Sequence, residues 1–343
     1  MEDALSLLVK IIAGVLLAEA AVWPLVGSKT AEVAELKATI HEWNVPTKDA
    51  KPYATVATPD GSIWFTEEMA NKIGCLNPKT GEFKEYPLTG DKSPSPHGIA
   101  ADHDGSIWYT ASSGGFIGKL QPRTGKVTVF KMPDPKAKDP DSLAIDSKGT
   151  LWFTLPTSNM VGKLDPASGE ISLKAVPTEN ARPNGILVLK RGLAAFSEAG
   201  SSKIGFIVPD TFTIREFPLP PGSRSRRLAM ATDENSLYFT DFVGGNLGRL
   251  DVSIGALVIF PSPSGPDSNP YGLTITPDGM VWYTETGTQP NKIIRFDPRL
   301  SAFESATIPF ATGPVHDVTA TPDSRVYFSS SGANKIGAVE ASK

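Results

Sequence analysis

The chain has 343 residues, of which 40% are apolar and 20% charged, and its formal net charge is −4. This composition can bury a core, which excludes a disordered or collagen-like chain, and the small acidic balance argues against nucleic acid as a partner. The single cysteine, Cys75, excludes an intrachain disulfide framework and a cysteine-rich metal site.

The first predicted element is an apolar segment at residues 5–22. It contains Ala18-Glu19-Ala20, the small-x-small pattern at which export signals are cleaved. Only one basic residue, Lys10, precedes that pattern, and the uninterrupted apolar run is short for a helix that spans a bilayer. We expect residues 1–35 to form a separate segment, an export signal or an anchor, and the protein to be periplasmic or secreted. A cytoplasmic protein with a packed apolar helix is the alternative.

A repeat with a period of 43 to 45 residues occupies the rest of the chain. Each copy has an apolar residue, a position that is mostly tryptophan or tyrosine, an aromatic residue and a hydroxyl residue, as in Ile63-Trp64-Phe65-Thr66. The seven copies are centred on Trp64, Trp108, Trp152, Ala195, Tyr238, Trp282 and Tyr327. So regular a period indicates a repeat architecture.

Each copy predicts four short strands. Turns such as Asp104-Gly105 join the first two strands, and the fourth ends in proline, as in Glu85-Tyr86-Pro87, which suits an outer edge strand. We therefore predict an all-β fold, one seven-bladed β-propeller with four-stranded blades over residues 36–343. The seventh copy stops after its third strand, and residues 39–46 resemble a fourth strand. An N-terminal strand should therefore complete the last blade and close the ring.

Two register positions of the repeat should meet at one mouth of the central channel, because first strands start and second strands end at the same end of a blade. The first-strand position holds Tyr53, His97, Asp141, Asn184, Arg227, Tyr271 and His316. The second-strand position holds Glu67, Ala111, Leu155, Glu198, Asp241, Glu285 and Ser330. Polar side chains that converge on a propeller mouth predict a ligand site there.

Four motifs of the repeat together resemble the virginiamycin B lyase (streptogramin lyase) family. They are Asp60-Gly61-Ser62-Ile63-Trp64-Phe65-Thr66-Glu67, Asn71-Lys72-Ile73-Gly74, Glu85-Tyr86-Pro87-Leu88 and Pro96-His97-Gly98-Ile99-Ala100. The resemblance implies a propeller that opens the lactone of type B streptogramins by elimination, with a histidine base and a bound magnesium ion. In that chemistry a proton leaves a carbon next to a carbonyl group, the cation stabilises the enolate, and a neutral histidine accepts the proton.

The chain departs from the family pattern at several positions. The pattern implies histidines at the inner positions of the fifth and sixth blades, where this chain has Arg227 and Tyr271. It implies a glutamate two residues before the second of these positions, where this chain has Asn269. Glu285 matches a further glutamate of the pattern, as a metal ligand. The inner histidines of this chain lie instead on the second and seventh blades.

We assign His97 and His316 as candidate catalytic residues, because a neutral histidine can accept a proton near pH 7. Glu67 and Glu285 are the candidate ligands of Mg²⁺, with Ca²⁺ as the alternative ion. The other inner residues are candidate substrate contacts, namely Tyr53, Asp141, Asn184, Arg227 and Tyr271.

Three functions are compatible with these residues. The first is a metal-assisted lyase that acts on a cyclic ester or lactone. The second is a non-catalytic propeller that binds a peptide, glycan or protein at its central mouth. The third is a calcium-dependent hydrolase of the lactonase type, although such propellers usually have six blades. We expect a monomer with a small-molecule or peptide ligand at the mouth, no nucleic-acid partner and no membrane span in the propeller.

Overall fold

The computed structural model describes residues 33–88, 94–190, 192–311 and 313–342. These residues form seven separate sheets. Five have four consecutive antiparallel strands, one has three such strands and an N-terminal fourth, and one has four such strands and a parallel N-terminal fifth. The first strand of each sheet lies beside the first strand of the next, and the seventh lies beside the first. The predicted all-β, seven-bladed propeller is therefore confirmed.

Blades 1 to 4 contain four strands each, and the strands are given in order from the channel to the outer edge. Blade 1 has the strands Pro52–Ala57, Ile63–Glu67, Lys72–Asn77 and Glu82–Pro87. Blade 2 has Pro96–Ala101, Ile107–Ala111, Phe116–Gln121 and Lys126–Lys131. Blade 3 has Leu143–Ile145, Leu151–Leu155, Met160–Leu164 and Ile171–Ala175. Blade 4 has Pro183–Val188, Ala194–Glu198, Lys203–Val208 and Thr213–Pro218.

Blades 5 to 7 continue the pattern, and the two N-terminal strands join the last two blades. Blade 5 has Ser225–Met230, Ser236–Asp241, Asn246–Asp251 and Ala256–Pro261, and a short 3₁₀ helix, Pro266–Ser268, follows it. Blade 6 has Pro270–Ile275, Val281–Glu285, Lys292–Asp297, Ala302–Thr307 and Val33–Glu35. Blade 7 has Val318–Ala320, Val326–Ser330, Lys335–Ala341 and Ala38–Asn44.

The ring closes as the sequence predicted. Ala38–Asn44 pairs antiparallel with Lys335–Ala341 over seven residues and supplies the missing fourth strand of blade 7. The preceding strand, Val33–Glu35, was not predicted, and it pairs in parallel with the outer strand of blade 6. Between the two strands, Leu36 is buried in the apolar cluster shared by blades 6 and 7. The N-terminal residues therefore link two blades.

The predicted export or anchor segment falls almost wholly on residues 1–32, which lie outside the described residues. The division at residue 35 and the periplasmic or secreted location therefore stay predictions. Among the residues that the structure describes, no helix is long and apolar enough to span a membrane.

The aromatic residue of each second strand packs over the third strand of its own blade. Phe153 lies opposite Gly162, where an added Cβ would come within 2.2 Å of the ring. The same close approach recurs at Gly74, Gly118, Gly205, Gly248 and Gly337. A side chain there would overpack the core, which accounts for the recurrent glycine in the third strands.

The hydroxyl residue of each second strand ties neighbouring blades together. Thr110 Oγ1 accepts a hydrogen bond from the Gly98 N–H of its own blade at 2.7 Å and donates one to the Asp141 carbonyl oxygen of the next blade at 2.6 Å. The other six blades repeat the donation: Thr66 to His97, Thr154 to Asn184, Ser197 to Arg226, Thr240 to Tyr271, Thr284 to Val315 and Ser329 to Tyr53. The repeat therefore holds the backbone of the inner residues.

We expect Thr110→Val to lower the free energy of unfolding by about 2 kcal/mol, because each buried hydrogen-bonding group left without a partner costs about 1–3 kcal/mol. Thr128→Val, at an exposed position of the outer strand of the same blade, is the matched control. It should change the free energy of unfolding by less than about 0.5 kcal/mol. Guanidinium unfolding measures both variants, and equal effects would mean that the link between the blades is not stabilising.

Candidate functional site

The structure brings the seven first-strand residues together at one mouth of the channel. In blade 1 the pairing of the first two strands shifts register between Pro52 and Thr55, and blades 2, 4, 5 and 6 have the same shift. A bulge of this kind re-aims a side chain. It lies at the inner residue in each of these blades and turns that side chain toward the other blades.

A chain of polar contacts follows one side of this ring. His97 Nδ1 contacts one carboxylate oxygen of Asp141, and the amide of Asn184 donates to the other. Arg227 Nη1 donates to Asn184 Oδ1 at 2.9 Å. Arg227 Nε lies 3.7 Å from Asp317 Oδ1. Five residues from five blades are therefore joined into one network.

Aromatic rings complete the other side of the ring. Tyr53 stacks on His97 with the ring centroids 3.8 Å apart, and its centroid is 4.8 Å from that of His316. Tyr271 lies against His316 at the same centroid distance of 4.8 Å. The hydroxyls of Tyr53 and Tyr271 are 3.3 Å apart and share a hydrogen bond across the channel.

The surroundings of these residues set their charges at neutral pH. Burial alone would raise the pKa of Asp141, but His97 and Arg227 hold it below its ordinary value. Burial lowers the pKa of His316 to about 4, and the positive charges of Arg227, of Arg226 and of His97 in its protonated form act in the same direction. Near pH 7 the ring therefore contains an ionised Asp141 and a neutral His316.

His97 is placed as an oriented base. An ionised carboxylate can only accept, so the Nδ1 that contacts Asp141 carries a hydrogen. In the neutral imidazole the lone pair is then on Nε2. The side chain of His97 is 20% exposed, whereas that of Asp141 is 7% exposed. His97 can therefore meet a ligand at the mouth while Asp141 fixes its tautomer from below.

The two predicted metal ligands do not join this ring. The side chain of Glu67 turns onto the third strand of its own blade, where it lies over Gly74, and its charge interacts with Glu85 and Lys72. Glu285 accepts hydrogen bonds from the hydroxyls of Ser262 and Ser264 and from the Ser264 N–H. The repeat register correctly predicted that both residues lie at this end of the channel, but it did not predict the direction of their side chains.

These positions do not fit a magnesium ion. Mg²⁺ needs several oxygen ligands around one point, and Glu67 and Glu285 lie in different blades with separate partners. Among the described residues, no three His, Cys, Asp or Glu side chains are grouped so that they could hold a metal ion. The placement of these two carboxylates therefore does not support a metal-assisted step, and the binding of Mg²⁺ or Ca²⁺ stays a prediction for titration.

The same placement predicts that Glu67 destabilises the fold at neutral and alkaline pH. Burial and the nearby Glu85 raise its pKa to about 8, and neither carboxylate oxygen has a hydrogen-bond partner. Below pH 4.5, its ordinary pKa, the carboxyl group is neutral in both the folded and the unfolded state, so it does not lower the free energy of unfolding. As the pH rises toward 8, only the unfolded state ionises, which costs roughly 1.4 kcal/mol per pH unit.

We expect Glu67→Gln to remove that dependence. The variant should gain stability relative to the wild type between pH 5 and pH 8, reaching about 2–4 kcal/mol by the same arithmetic. Glu179→Gln, at an exposed loop position, is the control and should follow the wild type. Guanidinium unfolding at several pH values measures the difference, and parallel curves for Glu67→Gln and the wild type would contradict the assignment.

Two residues of the mouth were not predicted as site residues. Asp317 follows the inner His316 and anchors the first strand of blade 1 by accepting the Thr55 N–H at 2.7 Å. Its register position is otherwise uncharged, with Ala54, Gly98, Ser142, Gly185, Leu228 and Gly272, so a lone carboxylate there was a usable signal. Arg226 precedes Arg227 in the first strand of blade 5, and its guanidinium lies over Tyr271, 5.8 Å from the ring centroid.

The channel continues past the ring as a cavity of about 180 Å³. The residues one or two positions further along the first strands line it, among them Thr55, Ser142 and Leu273. The opposite mouth contains a larger cavity, of about 520 Å³, which is lined by alanine, threonine, proline, methionine and isoleucine. Tyr53, Asp141, Arg227 and Asp317 give the first mouth acid–base groups, whereas the described residues that line the second cavity include none.

Comparisons with known proteins agree with this architecture. The model of the virginiamycin B lyase family matches residues 15–254. Virginiamycin B lyase from Nocardia farcinica is 33% identical over 103 residues, which is 30% of this chain and 34% of that protein. The chain therefore matches about a third of that curated relative's length.

Two solved structures superpose on nearly the whole propeller. One is a streptogramin B lyase, with a TM-score of 0.82 and 26% identity over 89% of this chain and 98% of that chain. The other is virginiamycin B lyase from Staphylococcus aureus, with a TM-score of 0.81 and 25% identity over 89% of this chain and 100% of that chain.

Proposed function

Because this chain belongs to the virginiamycin B lyase family, we propose that it is a carbon–oxygen lyase that opens an ester or lactone by elimination. The pairing of His97 with Asp141 supports this proposal most strongly. It supplies an oriented base at the mouth, on a different blade from the one that the family pattern implies.

The proposed step is a proton transfer followed by loss of a carboxylate. His97 Nε2 takes the proton from the carbon next to a carbonyl group, and the electron pair of that C–H bond forms a C=C bond. The C–O bond of the ester on the adjacent carbon breaks, and the acid leaves as a carboxylate. Asp141 stabilises the imidazolium that forms, and the next turnover begins when His97 gives its proton to solvent.

His316 is the weaker candidate for the base. Its lowered pKa, about 4, makes it a poor proton acceptor near pH 7, where a base works best with a pKa near the operating pH. Its Nδ1 is buried and has no hydrogen-bond partner. The positive charge of Arg227 that keeps His316 neutral also favours negative charge on a substrate carbonyl oxygen beside it.

Product analysis tests the proposal. The purified protein is incubated with a type B streptogramin and with N-acetyl-O-butanoyl-L-threonine amide, with and without a metal chelator. Elimination opens the cyclic compound without a change in mass and releases butanoate and a dehydro product from the linear one. We expect this outcome in the wild type and in the control His103→Gln, at an exposed turn, and not in His97→Gln.

Other products would point to other functions. Addition of one water to either compound would indicate a hydrolase of the lactonase type. Unchanged esters under all conditions would contradict the lyase proposal for these substrates.

A non-catalytic binding propeller is the second candidate. The observation that favours it is the burial of most of the ring, because Tyr53, Asp141 and Arg227 are each less than 9% exposed and already paired with one another or with neighbours. Such a closed network would serve as a rigid floor for a ligand. Binding of either test ester without turnover by the wild type would support this second candidate.

A further inference from the structure

We propose that the mouth recognises a carboxylate on its ligand through the guanidinium of Arg226, an inference that rests on the proposed function only for its choice of ester ligands. The hydrogen bond between blades at this position uses the Arg226 carbonyl oxygen, which accepts from Ser197, and leaves the side chain out of that link. The side chain is free to serve a ligand.

Arg226 differs from its two arginine neighbours in its partners. Arg227 is buried and bound to Asn184 and Asp317, and Arg224 Nη1 donates to the hydroxyl of Ser202 at 3.1 Å. The side chain of Arg226 is half-buried and makes no hydrogen bond or ion pair with the described residues, and its Nε is among the buried nitrogens without a partner. A partly desolvated cation without an acceptor is costly, so a ligand anion would relieve it.

Aromatic rings hold this guanidinium in place. It lies 5.0 Å from the centroid of Phe242 and 5.8 Å from that of Tyr271, and Tyr271 in turn packs against His316. Ring faces attract the positive charge but accept no in-plane hydrogen bonds, so the N–H edge of the guanidinium is left for acceptors. The planar fork of N–H groups along that edge matches the two oxygens of a carboxylate.

The electrostatics of the mouth favour the same ligand. Arg226 is one of the positive charges that lower the pKa of His316, so the two side chains are close enough to interact. The nearby carboxylates are already engaged, because Asp141 contacts His97 and Asn184, and Asp317 accepts from Thr55. A carboxylate that enters beside Arg226 and His316 therefore meets a cationic donor without a partner.

Calorimetry with a matched pair of probes tests this inference. The probes are N-acetyl-O-succinyl-L-threonine amide, which has a carboxylate, and N-acetyl-O-butanoyl-L-threonine amide, which has none. All titrations use the His97→Gln background, so the esters are not consumed and binding is separated from chemistry. Arg226→Gln is the test variant, and Arg215→Gln, at an exposed position of the outer strand of blade 4, is the control with the same change of charge.

We expect the acidic probe to bind at least tenfold more tightly than the neutral one, and Arg226→Gln, but not Arg215→Gln, to remove that preference. Equal binding of the two probes, which includes no measurable binding of either, would overturn the inference. So would a preference that survives Arg226→Gln. A preference for the acidic probe, together with no elimination by the wild type, would retain this inference and contradict the lyase proposal alone.

Discussion

Deletion of residues 33–44 should unfold the ring or lower its Tm by at least about 10 °C. The deletion removes the seven-residue pairing with Lys335–Ala341 and exposes that strand as an unprotected edge. It also removes Leu36 from the cluster between blades 6 and 7. The combined loss should approach the whole stability of a domain, about 5–15 kcal/mol. Thermal melting followed by circular dichroism measures the effect.

A graded variant keeps this prediction testable if the deletion does not fold. Leu36→Ala should cost about 2–5 kcal/mol, since Leu36 is 4% exposed and its removal leaves a cavity. Val33→Ala, in the neighbouring strand but 37% exposed, should cost less than about 1 kcal/mol. A deletion that melts within a degree or two of the full chain would show that the N-terminal strands do not close the ring.

The second large effect is expected at the proposed base. His97→Gln should lower kcat for elimination by about 10²- to 10⁴-fold, the usual contribution of a general base, with little change in the free energy of unfolding. Asp141→Asn should lower kcat similarly, because an amide neither holds the Nδ1–H tautomer reliably nor stabilises the imidazolium.

The controls for these variants separate chemistry from folding. His103→Gln lies in an exposed turn and should keep full activity. Initial rates and thermal melting are measured on the same preparations. Full activity of His97→Gln would exclude it as the base and make His316 the remaining candidate among the inner histidines.

The sequence was sufficient for the architecture and for the meeting point of the inner residues. A period of 43 to 45 residues determines the blade count, and the missing fourth strand of the seventh copy determines how the ring closes. Because a propeller repeats its geometry, residues at one register position must lie at one height around the channel. Tyr53 and Tyr271, which are 218 residues apart, therefore meet at the same mouth.

The direction of side chains could not be predicted in the same way. Glu67 has the predicted height but turns onto its own blade, because Gly74 on the third strand leaves space for it. The parallel strand Val33–Glu35 has three residues with exposed side chains, so it has no apolar alternation to reveal it. The polar network depends on pairs such as Arg227 and Asp317, whose partnership is set by distances across the channel and not by the repeat.

The most direct test of the proposed chemistry is isotopic. The wild-type protein is incubated with N-acetyl-O-butanoyl-L-threonine amide that carries deuterium at the α carbon, in water enriched in ¹⁸O. Mass spectrometry then measures the masses of the products. We expect a dehydro product without deuterium and a butanoate without ¹⁸O, since the base removes the α deuteron and the C–O bond breaks on the threonine side. A threonine product that keeps its deuterium, with ¹⁸O in the butanoate, would contradict it.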